Sequence, residues 1–273
     1  MCDGDQQVLQ FLAAILAMAV ALCVAAFVPA VAHAEAMRQS PIGIQGRDDR
    51  SSVEVAGAPW RSIGRINNSG RSFCTGVLIG EDRVLTAAHC LRSHVAGRTW
   101  APPSAIRFLA GYSKGQYSAH SQAIALTIAP SLPGRATLES DFAIVTLARP
   151  IGRTHQYLPV EAFDRDRWLS DRKARTTYDQ AGYSQDRAQV LTRHMGCDIV
   201  DFPRTGQVFA HSCDATHGDS GSPILARRDN GYAVVGLHIA SSRNGRSGIA
   251  ISGYNIVAGL ARLQRVLPVA YKR

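Results

Sequence analysis

The stretch TGVLIGEDRVLTAAHC, residues 75–90, decides the fold. It contains two short apolar runs separated by the polar turn GEDR, and it ends in two small alanines, a histidine and a cysteine. Short apolar or alternating runs bounded by Gly, Pro, Ser and Asn are typical of β-strands. Similar runs recur along the chain from Pro59 onwards, so the sequence predicts a protein built mainly of strands.

The strand-like runs fall into two groups of about six, on either side of a polar segment at 149–175 that is rich in Arg and Asp. Two groups of short antiparallel strands suit a pair of small barrels. We therefore predict an all-β protein with two six-stranded antiparallel β-barrels, over about 55–148 and from about 176, joined by a linker. Apolar residues at helical spacing predict a C-terminal helix that ends at Pro268: Ile256, Leu260, Leu263 and Leu267.

The first 34 residues have the character of an export signal. Residues 8–31 carry no charge, and the segment ends in Ala32-His33-Ala34, the small-x-small pattern that precedes a cleavage site. We predict a signal peptide at 1–34 and a secreted or periplasmic protein. An apolar run of this length is also long enough to span a bilayer, so a retained membrane anchor is the alternative.

Charge and cysteine content describe the mature chain. Removing residues 1–34 takes away two aspartates and no basic residue, which raises the net charge from +9 to +11. The arginines are scattered and do not alternate with aromatic residues, so we expect no nucleic-acid partner. We expect a monomer without stable membrane association after signal cleavage.

Four cysteines remain, and an even number in an exported chain indicates two disulfides with three possible pairings: Cys74, Cys90, Cys197 and Cys213. None lies in a Cys-x-x-Cys motif, and nothing implies a metal or an organic cofactor.

Three separated residues supply the chemistry of nucleophilic hydrolysis. Ser220 lies in GDSGSP, His89 follows an apolar run in VLTAAHC, and Asp141 opens the apolar run SDFAIVTLA. A serine hydroxyl needs an imidazole to accept its proton, and the imidazole needs a carboxylate to hold its tautomer. Each motif alone is more typical of a turn, a strand end or a cap. Together they predict a catalytic triad, and we interpret the flanking His211 and His217 as loop residues.

These segments resemble the signature segments of the trypsin-like serine peptidases, which have the chymotrypsin fold. The similarity runs from about Arg47 to the terminal helix. It implies that His89 is the general base, that Asp141 orients it and that Ser220 attacks the peptide carbonyl. It also implies an oxyanion hole formed by the backbone amides of Gly218 and Ser220.

The resemblance implies the disulfide pairing as well. In these peptidases a cysteine ahead of the histidine-bearing strand is bonded to the cysteine that follows the catalytic histidine. Cys74 and Cys90 match those two positions, and Cys197 and Cys213 are then the second pair.

Two alternative functions use the same residues. Lipase-type α/β-hydrolases also place a serine in a Gly-x-Ser-x-Gly turn, but Ser222 stands where the second glycine would be, and their triad order differs. Alternating strands and helices are not predicted here either. A catalytically inactive member of the peptidase fold, acting as a binding or adhesion module, is the stronger alternative. Such proteins usually lack a triad residue, whereas this chain has all three. We therefore predict a secreted serine endopeptidase whose partners are protein or peptide substrates.

Two residues give conflicting indications of the substrate residue that precedes the cleaved bond. VVGLHIA places His238 where exported bacterial peptidases similar to glutamyl endopeptidases have a histidine on the wall of the specificity pocket. An imidazole there can donate a hydrogen bond to Glu or Asp. Asp214 occupies the position that selects Arg or Lys in trypsin-like enzymes, although an Asp also occurs there in the glutamyl branch. A buried strand histidine is often only structural. We favour acidic over basic preference and leave a small or broad preference open.

The N-terminal part of the chain bears on activation. The run GRDDR, residues 46–50, resembles the start of the mature chains in the glutamyl branch. We predict a short propeptide at 35–42 and a peptidase domain over 43–273, beginning at Gly43 and Ile44. In trypsin-like zymogens the new amine pairs with the aspartate that precedes the catalytic serine, and Asp219 occupies that position.

Overall fold

The computed structural model describes residues 42–130, 137–242 and 245–266. The predicted signal peptide and the predicted propeptide up to residue 41 lie outside these residues. The described chain begins with a segment that reaches its first strand, β1, at Ser51–Ser52. Residues 43–50 are called the N-terminal segment below.

The first sheet is a closed barrel of six antiparallel strands. The strands are β2 (Ile63–Asn68), β3 (Ser72–Leu78), β4 (Arg83–Ala87), β5 (Ile106–Ala110), β6 (Ala119–Ile128) and β7 (Phe142–Leu147). They pair in the order β2-β3-β4-β7-β6-β5. The stretch at 75–90 supplies most of β3 and all of β4, which pair with Val77 opposite Leu85. Fully buried apolar side chains fill the core of this barrel: Ile63, Ile66, Val77, Leu85, Phe108 and Val145.

The second sheet has eight strands and curls as a half-barrel. Its further strands are β8 (Tyr178–Gly182), β9 (Thr192–Cys197), β10 (Ile199–Asp201), β11 (Val208–His211), β12 (Pro223–Arg228), β13 (Gly231–Ser241) and β14 (Gly248–Ser252). The order is β1-β9-β8-β12-β13-β14-β11-β10, and the two outer strands do not pair with each other in the described residues. The all-β prediction with two groups of strands is confirmed, and the second group is wider and more open than the first.

The segment at 149–175, predicted as a linker, contains two helices, α1 (Gly152–His155) and α2 (Arg165–Lys173). α2 begins after Asp164, whose carboxylate accepts a hydrogen bond of 2.8 Å from the amide of Arg167. This contact satisfies one of the amides that a helix start leaves unpaired. Trp168 anchors α2 in an aromatic cluster on the second sheet. The aromatic members are Phe163, Trp168, Tyr178, Phe202 and Phe209.

The predicted C-terminal helix is also confirmed, as α3 (Gly253–Val266). Ile256 is fully buried and Leu260 packs partly buried against the core, as their spacing predicts. Leu267 and Pro268 lie outside the described residues. Within residues 42–130, 137–242 and 245–266, no helix combines the length and the apolar character needed to cross a membrane.

α3 supports the segment that leads into β7. The side-chain amide of Asn255 donates a hydrogen bond of 2.7 Å to the carbonyl oxygen of Glu139. Gly259 lets the helix approach Phe142, because a Cβ at this glycine would lie 2.4 Å from the phenyl ring. Asp141 lies between these two contacts in sequence, so the helix restricts where its carboxylate can lie.

Candidate active site

His89 lies where β4 ends and a 3-10 turn, Ala88–Leu91, begins. Ala87 and Ala88 are buried, whereas the imidazole of His89 keeps 37% of its surface exposed. Because alanine carries only a methyl group, the corner packs closely and leaves the ring at the edge of the barrel. The histidine is therefore held by its backbone while its ring stays accessible.

Asp141 lies immediately before β7, the strand that pairs with β4. Its Oδ1 accepts a hydrogen bond of 2.8 Å from the backbone amide of His89, and its Oδ2 lies 2.7 Å from Nδ1 of the same residue. An ionised carboxylate can only accept, so Nδ1 carries the proton and Nε2 is left free to accept one. The structure thus brings two predicted triad residues together in the geometry that a general base requires.

Ser220 lies in a tight loop, residues 216–222, which we call the serine loop. The first barrel holds this loop through Thr75. The amide of Thr75 donates to the carbonyl oxygen of Ser220 at 2.9 Å, and its hydroxyl donates to the carbonyl oxygen of Gly218 at 3.0 Å. Thr86 in turn donates its hydroxyl to the carbonyl oxygen of Thr75 at 2.7 Å. Two strands of the first barrel, β3 and β4, therefore position a loop that belongs to the second sheet.

Two glycines in the serine loop have positive φ, +91° at Gly218 and +84° at Gly221, a region that favours glycine. Space also requires glycine at both positions. A Cβ at Gly218 would lie 2.4 Å from the carbonyl oxygen of Tyr183, and one at Gly221 would lie 2.1 Å from that of Thr75. The GDSG motif is thus a steric requirement of this loop.

The amides of Gly218 and Ser220 are the two predicted oxyanion donors. Within the described part of the chain, neither amide has an acceptor. Free amides two residues apart on such a loop are the donor pattern of an oxyanion hole. The hydroxyl of Ser220 likewise makes no hydrogen bond to His89 among the described residues. Such contacts often tighten only when substrate is bound.

Two disulfides join Cys74 to Cys90 and Cys197 to Cys213, the pairs that the resemblance implies. The first links β3 to the turn that carries His89. Sγ of Cys90 lies 3.8 Å from the carbonyl oxygen of Ser220, so the bridge also lies against the serine loop. The neighbours of the candidate base and of the candidate nucleophile are therefore in contact.

Asp219 is buried beside Ser220. Its Oδ2 accepts hydrogen bonds from the hydroxyl of Ser184 at 2.7 Å and from the amide of Thr216 at 2.8 Å. Burial raises the pKa of Asp219 to about 6. The sequence predicts that processing frees an amine in the N-terminal segment, with Asp219 as its partner. Among the described residues, this segment donates hydrogen bonds to Asp214 and not to Asp219.

Asp219 should make stability depend on pH. The folded protein holds this proton more tightly than the unfolded chain, in which the carboxyl titrates near 3.8. Its contribution to the free energy of unfolding is therefore complete below that pH and is lost as pH rises through about 6. Asp219→Asn keeps an oxygen for both donors and cannot ionise. We expect this change, made in the inactive Ser220→Ala background, to weaken the pH dependence of the free energy of unfolding, measured with urea from pH 4 to 8. At pH 8 it should raise that free energy by roughly 3 kcal/mol. Parallel pH profiles with and without Asp219→Asn would contradict the assignment.

Asp214, the candidate selector of basic substrates, is engaged elsewhere. Its side chain is fully buried. Its Oδ1 accepts a hydrogen bond of 2.7 Å from the amide of Gln45, and its Oδ2 accepts one of 2.9 Å from the amide of Asp49. Both oxygens therefore bind the N-terminal segment, which leaves this carboxylate poorly placed to receive a substrate cation.

His238, the candidate selector of acidic substrates, lies on β13 directly behind the serine loop. Its carbonyl oxygen accepts from the amide of Gly221, and its own amide donates to the carbonyl oxygen of Ser222, both at 2.8 Å. Burial, with a smaller effect from His89, lowers the pKa of His238 to about 3. The imidazole is therefore neutral at physiological pH.

His211 is a residue whose position the sequence analysis missed. It was expected in a loop, but it lies on β11 and is fully buried. Its Nε2 lies 3.0 Å from Nδ1 of His238, and its Nδ1 accepts a hydrogen bond of 3.2 Å from the amide of Cys213. Gly248 on the neighbouring strand makes room, because a Cβ there would lie 2.2 Å from the ring. The alternation in VFAH, which puts Phe209 and His211 on one buried face, was the available signal.

These contacts determine the tautomers of both histidines. Nδ1 of His211 accepts a hydrogen bond, so in the neutral ring the proton is on Nε2. Burial, followed by the nearby His238 and His194, lowers the pKa of His211 well below its usual value, so the ring is neutral. Nε2 then donates to Nδ1 of His238, whose own proton must lie on its Nε2. That second Nε2 has no partner among the described residues and is available as a donor.

Two groups of potential metal ligands occur in the described part of the chain. One consists of Cys74, His89 and Cys90, in which both sulfurs are already joined in a disulfide. The other consists of Asp49, His194 and Asp214. In that group the backbone amide of Asp214 donates to Nδ1 of His194 at 2.9 Å. The carboxylate oxygens of Asp214 accept hydrogen bonds from two other backbone amides. Neither group presents a free set of ligands.

Comparison with known proteins agrees with this geometry. A curated relative, the glutamyl endopeptidase of Bacillus licheniformis, is 28% identical over 182 residues, which cover 66% of this chain and 54% of the relative. The match thus spans about half the length of that relative. A solved structure of a Glu endopeptidase in complex with MPD superposes with a TM-score of 0.65 at 21% identity and covers 82% of this chain and all of that one. This similarity shows that the fold is chymotrypsin-like.

The sequence profile of the trypsin family matches residues 50–262, from the end of the N-terminal segment into α3. The match includes the corner with His89, the start of β7 with Asp141 and the loop with Ser220. The chain belongs to the trypsin family of serine peptidases.

Proposed function

We propose that this chain is an exported serine endopeptidase that cleaves peptide bonds after acidic residues. The observation that carries the catalytic part is the two-point contact of Asp141 with the backbone amide and Nδ1 of His89. It leaves Nε2 as the acceptor on an accessible ring. The two disulfides are typical of proteins that function outside the cytosol.

In the proposed reaction, the hydroxyl oxygen of Ser220 attacks the peptide carbonyl while its proton passes to Nε2 of His89. The amides of Gly218 and Ser220 donate to the carbonyl oxygen as it becomes negative. His89 then returns the proton to the leaving amine, the C–N bond breaks and an acyl-enzyme forms. Water repeats the sequence, with His89 again as base, and releases the acid and Ser220. Asp141 stays ionised throughout and stabilises the charged imidazolium.

The pocket chemistry supports acidic over basic substrates. Each oxygen of the Asp214 carboxylate already accepts a hydrogen bond from a backbone amide of the N-terminal segment, and the side chain is fully buried, so a substrate arginine or lysine has no open access to it. Nε2 of His238 is a fixed donor that can meet a substrate carboxylate. A neutral donor with a defined proton position binds an anion without first having to become charged at low pH.

A peptide library varied at the residue before the cleaved bond tests this proposal, with the Ser220→Ala protein as control. We expect cleavage after Glu and Asp. Cleavage after Arg or Lys would assign the pocket to Asp214 and contradict the proposed preference. Absence of cleavage by the processed protein would favour the alternative function, an inactive binding module of the same fold.

His211 should control the preference through His238. In His211→Leu the donor to Nδ1 of His238 is lost, so that nitrogen can take the proton and leave Nε2 as an acceptor facing the substrate carboxylate. We expect kcat/KM for a Glu peptide to fall about 10- to 100-fold. The value for the matching Gln peptide should change little, since an amide can donate to the altered ring. His211→Gln, which can still donate, is the control. Equal losses for both peptides would indicate a structural role only.

Processing should produce a mature chain that starts at Gly43. Gly43 has a φ of +99°, and its carbonyl oxygen accepts a hydrogen bond of 3.1 Å from the amide of Ala215, so it is held in place. Ile42 just before it is 73% exposed, which gives a peptidase access to the bond between them. N-terminal sequencing of the exported protein should find residue 43. A fully active form that begins at Glu35 would contradict this expectation.

A further inference from the structure

Arg50, the last residue of the N-terminal segment, forms a buried ion-pair cluster next to the serine loop. Its side chain is 1% exposed, and its guanidinium binds both carboxylate oxygens of Asp186 at 3.0 and 2.6 Å. It also binds both oxygens of Asp48, at 3.0 and 2.9 Å. Burial disfavours the charged form, but these hydrogen bonds outweigh burial and raise the pKa of Arg50. Nothing in the triad chemistry uses this charge.

Asp186 connects the cluster to the serine loop. It lies in a short 3-10 turn, Gln185–Arg187, and its Oδ1 accepts a hydrogen bond of 2.9 Å from the hydroxyl of Thr216. The amide of Gln185 donates to the carbonyl oxygen of His217 at 2.6 Å. The turn thus binds the serine loop at two consecutive residues, once through a side chain and once through the backbone.

The contact with His217 has a direct consequence for the oxyanion hole. In a trans peptide the carbonyl and the amide point in opposite directions. The hydrogen bond from Gln185 draws the carbonyl of His217 towards the turn, so the amide of Gly218 must point away from it, towards the side where it has no acceptor among the described residues. If the turn moves, this peptide loses its shorter contact, and the hydroxyl of Thr216, 3.3 Å from the same carbonyl oxygen, is the donor that remains among the described residues.

We propose that Arg50 is a positioning residue that orients the amide of Gly218 for catalysis by holding the turn at Asp186. This inference rests on the proposed peptidase function for its kinetic consequence, but its structural content is independent of that function. The N-terminal segment thereby organises the oxyanion hole through an internal arginine, whereas the buried Asp219 is bonded to Ser184 and Thr216.

The test compares Arg50→Gln with Arg187→Gln. Arg187 belongs to the same cluster, but its guanidinium binds Asp48 and the carbonyl oxygen of Arg50 and does not bind Asp186. With a p-nitroanilide peptide that has Glu before the cleaved bond, Arg50→Gln should lower kcat about 10- to 100-fold with KM within about twofold. A peptide aldehyde of the same sequence, whose hemiacetal oxygen occupies the oxyanion hole, should lose affinity by a similar factor. Arg187→Gln should change neither quantity more than about twofold.

Crystal structures of the wild-type protein and of Arg50→Gln give a readout that does not depend on activity. We expect the peptide between His217 and Gly218 to be reoriented or present in two orientations in the variant. If Arg50→Gln does not fold, Asp186→Asn carries the same expectation, since that carboxylate is 34% exposed and its loss is better tolerated.

Each outcome is decisive for the inference. A peptide that keeps its wild-type orientation would overturn it, whether kcat is unchanged or lowered, because in the second case Arg50 would act by another route. A wild-type protein that cleaves no peptide would remove the proposed function alone, and the orientation of the peptide in the variant would still support or overturn the role of Arg50.

Discussion

Replacement of Ser220 by alanine should lower kcat about 10⁶-fold and leave the fold intact. The expected loss is large because His89 and Asp141 have no function in the covalent step once the nucleophile is gone. The protein should still fold because the serine loop is held by groups other than the hydroxyl of Ser220. Its contacts include the carbonyl oxygens bonded to Thr75, the amide of Gly221 bonded to His238, and the bonds of Thr216, His217 and Asp219 described above.

Ser222 offers a matched control within the same loop. Its hydroxyl is buried and has no hydrogen-bond partner in the part of the chain that the structure describes, so Ser222→Ala removes an equivalent atom without removing a described contact. We expect its kcat to stay within a few-fold of wild type. Peptide hydrolysis and thermal unfolding of the two variants, measured side by side, separate loss of the nucleophile from damage to the loop. An active Ser220→Ala protein would overturn the proposed mechanism.

Replacement of Asp141 by asparagine should lower kcat about 10⁴-fold with little change in structure. The carboxamide oxygen can replace Oδ1 and keep the hydrogen bond from the backbone amide of His89. Its NH₂ group then faces Nδ1, which can only accept from it. The proton of the imidazole is thereby moved to Nε2, where it blocks transfer from Ser220. The expected defect is therefore a wrong tautomer of His89 and not a displaced imidazole ring.

The conservative change Glu139→Gln is the control for Asp141→Asn. Glu139 lies two residues earlier, and it supports this segment through its backbone carbonyl, which accepts from Asn255. Steady-state kinetics should show near wild-type kcat for this control. A crystal structure of Asp141→Asn should show the ring of His89 in place. A loss of less than about tenfold in kcat for Asp141→Asn would indicate that another group holds the tautomer.

The sequence was most informative where a residue's role follows from its place at the end of a strand. β4 ends at the corner with His89, and β7 begins after Asp141, and the apolar run next to each residue made those strand ends visible. The glycines of the GDSG motif, Gly218 and Gly221, likewise serve a local requirement, because only glycine suits the backbone there. Local pattern and local structure agree at these positions, so the residues could be named before the fold was known.

The sequence was least informative where a tertiary contact determines the outcome. α2 has a polar sequence with Trp168 as its main buried apolar anchor, so its helical periodicity is weak and it was read as linker. The roles of Asp214 and Arg50 depend on partners 165 and 136 residues away, Asp49 and Asp186. No local signal reports such pairings, since a carboxylate in sequence looks the same whether it receives a substrate or a backbone amide.

The two hydrogen bonds between Thr75 and the serine loop have a consequence while the chain is being synthesised. The bond between Thr75 and Gly218 spans 143 residues, so it can form only after residue 218 has been made. Contacts of such long range carry a large loop-closure cost and tend to form late in folding. Until they form, an emerging chain has His89 and Asp141 but no organised serine loop. In the proposed reaction, partly completed chains should therefore be inactive, because cleavage requires that both halves have been translated and docked.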